Sequence, residues 1–202
     1  MLNIRDINKV MKGNIFNIFF VDKGEKIGDD LQLIVSMYKC ESGAVTDKLH
    51  SWQIICKDVR ESNIKYASGF TYLRILKDHP VLFKYNKPSF MIFGPIQLQG
   101  DDEIYGQVFR GLEEFLGTYN ARDRIIDFMP FGGTTEGLVS FTIGPQEIAD
   151  VYRSVLASRG LEITLWPDPQ IYSDNGTERI LLFNNSAYVI AEKFHITQID
   201  IT

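Results

Sequence analysis

Hydrophobic and polar residues alternate through much of the first half of the chain, as they do in strands with one buried face. The alternation is clear over residues 31–38 and 52–57, where every second position is apolar. Residues 15–21 form a further apolar run, and residues 71–93 hold three such runs separated by proline-containing turns. Together these segments predict a meander of about six strands.

Two longer segments follow the 3.6-residue period of a helix instead. Residues 101–119 place apolar side chains on one face, and the acidic residues 101–103 are expected to cap this helix rather than to bind a cation. Residues 145–160 begin with proline and end with glycine, which is the usual asymmetry of helix ends. The same period over residues 4–11 predicts a short opening helix.

The order of these elements favours an α+β fold. Most strands precede the two main helices, and the apolar segments 180–183 and 187–194 predict a closing hairpin of C-terminal strands. Successive strands without helices between them disfavour a parallel βαβ topology, so we predict a largely antiparallel sheet packed by two main helices. Because no repeat, low-complexity tract or linker interrupts the chain, we expect residues 1–202 to form a single domain.

Charge and cysteine content narrow the classes of partner and compartment. The chain has 21 Lys and Arg against 26 Asp and Glu, a formal charge of −5, whereas proteins that bind nucleic acids usually carry a basic excess. We therefore expect no nucleic-acid partner, and a basic protein is the better electrostatic match. The apolar run at residues 15–21 is far shorter than the roughly 20 residues of a membrane span. Cys40 and Cys56 lie in apolar runs, as buried free thiols do, which favours a reducing compartment. We therefore predict a soluble cytoplasmic protein, and the shortness of the apolar run predicts that it contacts no membrane.

One part of the sequence resembles known proteins. The stretch from Asp78-His79-Pro80-Val81-Leu82 through Tyr85-Asn86-Lys87-Pro88 to Phe93, the helix after it and residues 187–194 resemble a group of uncharacterised bacterial proteins, over about two thirds of the chain. These proteins have no established activity and no catalytic motif. The resemblance implies a bacterial cytosolic setting, and it transfers no site residues.

The histidines are the first candidates for catalysis or metal binding, because imidazole titrates near neutrality. His50, His79 and His195 lack the short spacings of metal-binding motifs, so we expect neither a metal site nor another cofactor. His79 precedes a proline, where a turn that satisfies local backbone groups is the expected role. In the alternative interpretation, His79 and Asp127 meet in a cleft and act together in catalysis.

Trp166 and Tyr172 are the candidates for binding a partner. Trp166 leaves a strand and enters a proline-bounded loop that also contains Tyr172. Exposed tryptophan and tyrosine side chains are frequent anchors in protein interfaces. A tryptophan that covers the edge of the core is the alternative explanation for Trp166.

These observations predict a non-catalytic protein-binding domain. The negative charge fits an immunity-type protein that neutralises a basic bacterial toxin, and no sequence motif for nucleophilic catalysis is present. The alternative function is a hydrolase or a small-molecule-binding protein of unrecognised type, since catalytic groups can also be assembled by folding from distant positions.

Overall fold

The computed structural model describes residues 4–12, 17–42, 44–64, 69–119, 121–130, 132–168, 176–184 and 187–199. Within them the strands are β1 (Asn17–Ile27), β2 (Asp30–Glu41), β3 (Ala44–Ser62), β4 (Leu73–Leu76), β5 (Phe90–Pro95), β6 (Thr134–Thr135), β7 (Leu138–Gly144), β8 (Thr164–Pro167), β9 (Arg179–Phe183) and β10 (Ala187–Ile199). The α-helices are α1 (Ile4–Lys12), α2 (Phe83–Asn86), α3 (Asp102–Gly117) and α4 (Gln146–Ala157). Three short 3-10 helices cover Pro80–Leu82, Ile96–Leu98 and Arg122–Phe128.

The predicted α+β class with a largely antiparallel sheet is confirmed. All strand pairings in the described ranges are antiparallel. They build one six-stranded sheet in the order β1-β2-β3-β10-β9-β4 and one four-stranded sheet in the order β6-β7-β5-β8. No helix in the described part of the chain has the length and apolar character needed to cross a bilayer.

The chain divides into two compact units. Unit 1 comprises Met1–Lys77 and Thr177–Thr202, and unit 2 comprises Asp78–Gly176. Unit 1 holds the six-stranded sheet and α1, whereas unit 2 holds the four-stranded sheet and the other three α-helices. That residues 1–202 behave as a single domain stays a prediction.

In unit 1, the strands β1, β2 and β3 follow one another as the alternation predicts. Their apolar positions form a buried core, in which Leu33 and Val35 have no exposed surface. The next strand in the sheet is β10 rather than β4. The reason is length, because β3 has 19 residues and β10 has 13, whereas β4 has only 4 and could satisfy few backbone groups of β3.

A backbone bridge connects the two edges of this sheet. The N–H and carbonyl groups of Phe19 in β1 exchange two hydrogen bonds of 2.9 Å with Phe70, which lies just before β4. The segment leading into one edge strand therefore pairs with the opposite edge strand. The helix α1 is attached nearby, since the Asn8 side chain donates to the Leu73 carbonyl at 2.7 Å and accepts from the Leu73 N–H at 3.2 Å.

The three apolar runs of residues 71–93 do not all become strands. The first is β4 and the third is β5, and they belong to different sheets. The middle run is helical, with a 3-10 turn at Pro80–Leu82 followed by α2. Local capping explains the difference, because the His79 side chain accepts from the Val81 N–H and the following proline already has helical φ.

In unit 2, α3 and α4 bury the apolar faces that their periodicity predicts. The side chains without exposed surface are Ile104, Val108, Leu112 and Leu116 in α3, with Ile148, Ala149, Tyr152 and Leu156 in α4. The α3 helix begins as expected, because Asp101 Oδ1 accepts from the Ile104 N–H at 3.0 Å. The strand β5, apolar on both faces, is central and pairs with β7 and β8.

Two glycines within α3 have unlike surroundings, and we expect them to respond differently to alanine. A Cβ built at the exposed Gly106 meets no atom within 4 Å, whereas a Cβ at Gly111 lies 3.0 Å from Val151 Cγ1. Since alanine is favoured over glycine in helices, Gly106→Ala should raise the free energy of unfolding by about 0.5–1 kcal/mol in urea denaturation. Gly111→Ala is the control and should gain less, because its methyl group presses on Val151. Equal gains would contradict this assignment.

Candidate functional site

His79 has a structural task at the start of a helical turn. Its Nδ1 accepts a hydrogen bond from the Val81 N–H at 3.3 Å, and its carbonyl accepts from the Leu82 N–H at 2.8 Å. The residue is only 6% exposed. This arrangement matches the turn expected from the sequence, since a side-chain acceptor satisfies a backbone donor that the helix leaves unpaired.

Asp127 lies in the 3-10 helix Arg122–Phe128 and is exposed. Its Oδ2 pairs with Arg124 Nη1 at 3.4 Å, three residues earlier in the chain. An exposed ion pair of this kind contributes little to stability and leaves the carboxylate hydrated. Each residue of the proposed catalytic pair thus has a local partner, and a joint role of His79 and Asp127 stays a prediction.

Trp166 belongs to β8, opposite Met91 of β5. It is half-buried, and the centroid of its ring lies 4.6 Å from that of the buried Phe93. Packing on the four-stranded sheet therefore accounts for part of the tryptophan surface. Binding of a partner by Trp166 stays a prediction, and the second candidate, Tyr172, lies outside the described residues.

A groove between α3 and α4 is a concave feature of unit 2 that sequence reasoning missed. The volume of the groove is about 460 Å³, and eight residues line it: Gly111, Glu114, Phe115, Glu147, Asp150, Val151, Ser154 and Val155. The α3 residues span one helical turn, and the α4 residues span two. Since none of the eight is fully buried, the groove is open to solvent.

The lining of this α3–α4 groove has two chemical parts. The floor is apolar, because Phe115, Val151 and Val155 are half-buried and pack against the core of unit 2. The acidic rim consists of Glu114, Glu147 and Asp150. An apolar floor beside a charged rim is the arrangement found in many protein interfaces.

Small side chains create the space between the helices. Gly111 has no side chain, and the neighbouring Ser154 fills little volume. The glycine also allows α3 to approach α4, since a Cβ there would lie only 3.0 Å from Val151 Cγ1. Gly111, which weakens α3 as an isolated helix, therefore shapes the groove.

The three rim carboxylates differ in how their charges are compensated. Glu147 pairs with Lys87, and Asp150 Oδ1 accepts from Arg153 and, at 2.9 Å, from Gln146 Nε2. Glu114 has no ion-pair partner among the residues that the structure describes. The rim thus has three negative charges against two paired cations, with the uncompensated charge on α3.

Lys87 neutralises one end of the rim. Its Nζ lies 2.5 Å from Glu147 Oε1, 3.5 Å from Asp78 Oδ1 and 4.5 Å from the centroid of the Phe83 ring. Burial lowers the pKa of Lys87, but the hydrogen bond and charge of Glu147, followed by the charge of Asp78, outweigh burial and hold this pKa above its usual range. Lys87 is therefore a cation at neutral pH, which suits a counter-ion and not a catalytic base.

The described part of unit 2 shows the α3–α4 groove and no cluster of metal-ligating side chains. No group of three or more His, Cys, Asp or Glu side chains is placed to hold a metal ion in the ranges that the structure describes. The groove instead combines exposed apolar surface with carboxylates. Comparison of the chain with protein-family models, curated proteins and solved structures gives no match in any of the three.

Proposed function

We propose that this protein is a non-catalytic binding domain that neutralises a basic protein, as an immunity protein neutralises a toxin. The α3–α4 groove carries the proposal, because it presents an apolar floor next to three carboxylates. Apolar contact supplies affinity when such a floor is covered, and the rim charges select a partner of opposite sign and accelerate its association.

The same charges argue against other macromolecular partners. A phosphate backbone or an anionic lipid surface would be repelled by Glu114 and by the overall charge of −5. The proposed partner is therefore a protein with a positive surface. We place this encounter in the bacterial cytoplasm, where an immunity-type protein would meet the toxin that it inhibits.

The local contacts of His79 and Asp127 support a binding role over a catalytic one. His79 uses Nδ1 to cap a turn, and Asp127 is exposed and paired with Arg124. The alternative of a small-molecule-binding protein draws support from the groove volume of about 460 Å³, which lies within the usual range of ligand pockets. However, an open groove with an acidic rim suits a protein surface better.

Affinity capture of partners from the native cells tests the proposed function. The full chain serves as bait at about 50 mM and about 500 mM salt, and mass spectrometry identifies the retained proteins. We expect one stoichiometric basic protein whose dissociation constant, measured afterwards with the purified pair, rises about ten-fold or more between the two salt concentrations. Capture of no protein, or a complex insensitive to salt, would contradict the proposal and direct attention to small ligands.

A further inference from the structure

We infer that the α3–α4 groove binds one amphipathic basic helix of about two turns, with a lysine or arginine opposite Glu114. This inference rests on the proposed function, because it names the part of the basic partner that docks. Three properties of the groove support it: its dimensions, the nature of its walls and the position of its uncompensated charge.

The dimensions of the groove match a short helix. Its α4 wall runs from Glu147 to Val155, a length of about 12 Å at 1.5 Å per residue. About eight residues of a second helix cover this length, which corresponds to two turns. Lining positions on both walls recur at spacings of three and four residues, and these are the spacings that form grooves for the side chains of another helix.

The walls favour a helix over an extended segment. Both are α-helices, whose peptide groups form hydrogen bonds along their own axes. An extended peptide gains its binding energy largely from hydrogen bonds to a strand edge, which these walls do not provide. A bound helix satisfies its own peptide groups and contributes side chains alone, so it can cover the apolar floor without burying unpaired amides.

The charges define where a basic side chain binds. Glu147 and Asp150 on α4 already have Lys87 and Arg153 as partners, so a cation from outside must compete with them. Glu114 on α3 lines the same groove without an ion-pair partner in the described part of the chain. A lysine or arginine of the bound helix therefore gains most beside Glu114, while apolar residues one turn away contact Val151 and Val155.

Defined peptides test this inference without knowledge of the natural partner. The probes are fluorescein-labelled peptides of about 12 residues: a leucine–lysine peptide with leucines spaced three and four apart, an isomer with the same composition in scrambled order, and a leucine–glutamate peptide with the original spacing. Binding to the full-length protein is followed by fluorescence anisotropy. We expect the amphipathic leucine–lysine peptide to bind at least about ten-fold more tightly than either of the others.

A matched pair of charge reversals locates the binding site. Glu114→Lys should weaken binding of the leucine–lysine peptide about ten-fold or more, because it places a like charge beside the basic side chain. Glu113→Lys is the control: it makes the same change in net charge at the adjacent exposed position of α3, which does not line the groove. It should change the dissociation constant by less than about two-fold. Circular dichroism and urea denaturation check that both variants fold.

Several outcomes would overturn the inference. Absence of binding by the amphipathic basic peptide, equal binding of its scrambled isomer, or equal losses for the variants of Glu113 and Glu114 would each remove it. These failures differ from failure of the proposed function. If a basic protein is captured and binds the Glu114→Lys variant as tightly as the wild type, the neutralising function stands and the docking of a helix in this groove does not.

Discussion

Replacement of Gly94 by alanine is expected to destabilise unit 2 by about 2–3 kcal/mol, even though it adds only one methyl group. A Cβ at this position in β5 would lie 2.3 Å from Phe141 Cζ, far inside van der Waals contact. Phe141 has no exposed surface and stacks on Tyr152 with 5.1 Å between ring centroids. The Tyr152 hydroxyl in turn donates to the Phe128 carbonyl at 2.7 Å, so displacement of the stacked rings would strain a buried hydrogen bond.

The expected loss is measured by urea denaturation of Gly94→Ala and wild type, both followed by far-UV circular dichroism. Gly106→Ala, which adds a methyl group where no atom lies within 4 Å, is the control for the substitution itself. A second variant, Phe141→Leu combined with Gly94→Ala, shortens the side chain that the new methyl meets. It should be less destabilised than the sum of the two single changes predicts. Additive losses would show that the contact with Phe141 is not the cause.

The contact between Gly94 and Phe141 shows why part of the fold could be predicted from sequence and part could not. The apolar residues 90–93 correctly predict a central strand, because burial on both faces leaves a local pattern. The requirement for glycine at position 94 depends on a residue in another strand. Phe141 is also skipped in the register of β5 and β7, where Ile92 faces Thr142 and Phe93 faces Ser140. A single sequence carries no signal for such an irregularity.

The order of strands in the six-stranded sheet could likewise be predicted from sequence only in part. Alternation identified the core positions of β2 and β3, since each strand needs only its own period to reveal its buried face. Which strand pairs with β3 depends instead on which strand, however distant in sequence, can form the most backbone hydrogen bonds with it. That competition places β10 beside β3 and leaves the short β4 at the edge.

The candidate site was less accessible to sequence reasoning than the fold. Periodicity correctly assigned the buried faces of α3 and α4. From the sequence, Gly111 could be recognised only as a weak point in a helix, and nothing distinguished Glu114 from its neighbours. That both residues line one groove follows only from the side-by-side packing of α3 and α4. Conversely, the proline after His79 did carry local information, and it correctly favoured a capped turn.

The largest loss of stability is expected for Trp52→Ala, about 3–5 kcal/mol, because it removes the largest fully enclosed side chain of unit 1. Trp52 is 2% exposed, and its ring meets that of Phe19 edge to face with centroids 5.6 Å apart. Phe19 stacks on Phe70 at 5.4 Å, and Phe70 meets Phe183 at 5.0 Å. A cavity at Trp52 thus removes support from the aromatic cluster at the bridge between the sheet edges.

The rate at which Cys56 is alkylated measures this loss of stability within unit 1. It lies in the same strand as Trp52 and has no exposed surface, and burial, with the nearby charge of Asp30, raises the pKa of its thiol to about 12. Since thiolates react with iodoacetamide and buried thiols do not, Cys56 is alkylated at pH 8 only when unit 1 opens. We expect Trp52→Ala to accelerate this alkylation about 100-fold or more, as quantified by mass spectrometry of peptides that separate Cys56 from Cys40. An unchanged rate would contradict the expected loss.

The same measurement tests whether residues 1–202 form a single domain. Gly94→Ala acts within unit 2, whereas Cys56 reports on unit 1. If the chain unfolds as one cooperative domain, destabilisation of unit 2 must appear at Cys56, and Gly94→Ala should accelerate its alkylation about 30-fold or more. If the two units open independently, only Trp52→Ala will change the rate at Cys56. Circular dichroism of Gly94→Ala should then resolve two transitions, because the stability of unit 1 is retained while that of unit 2 falls.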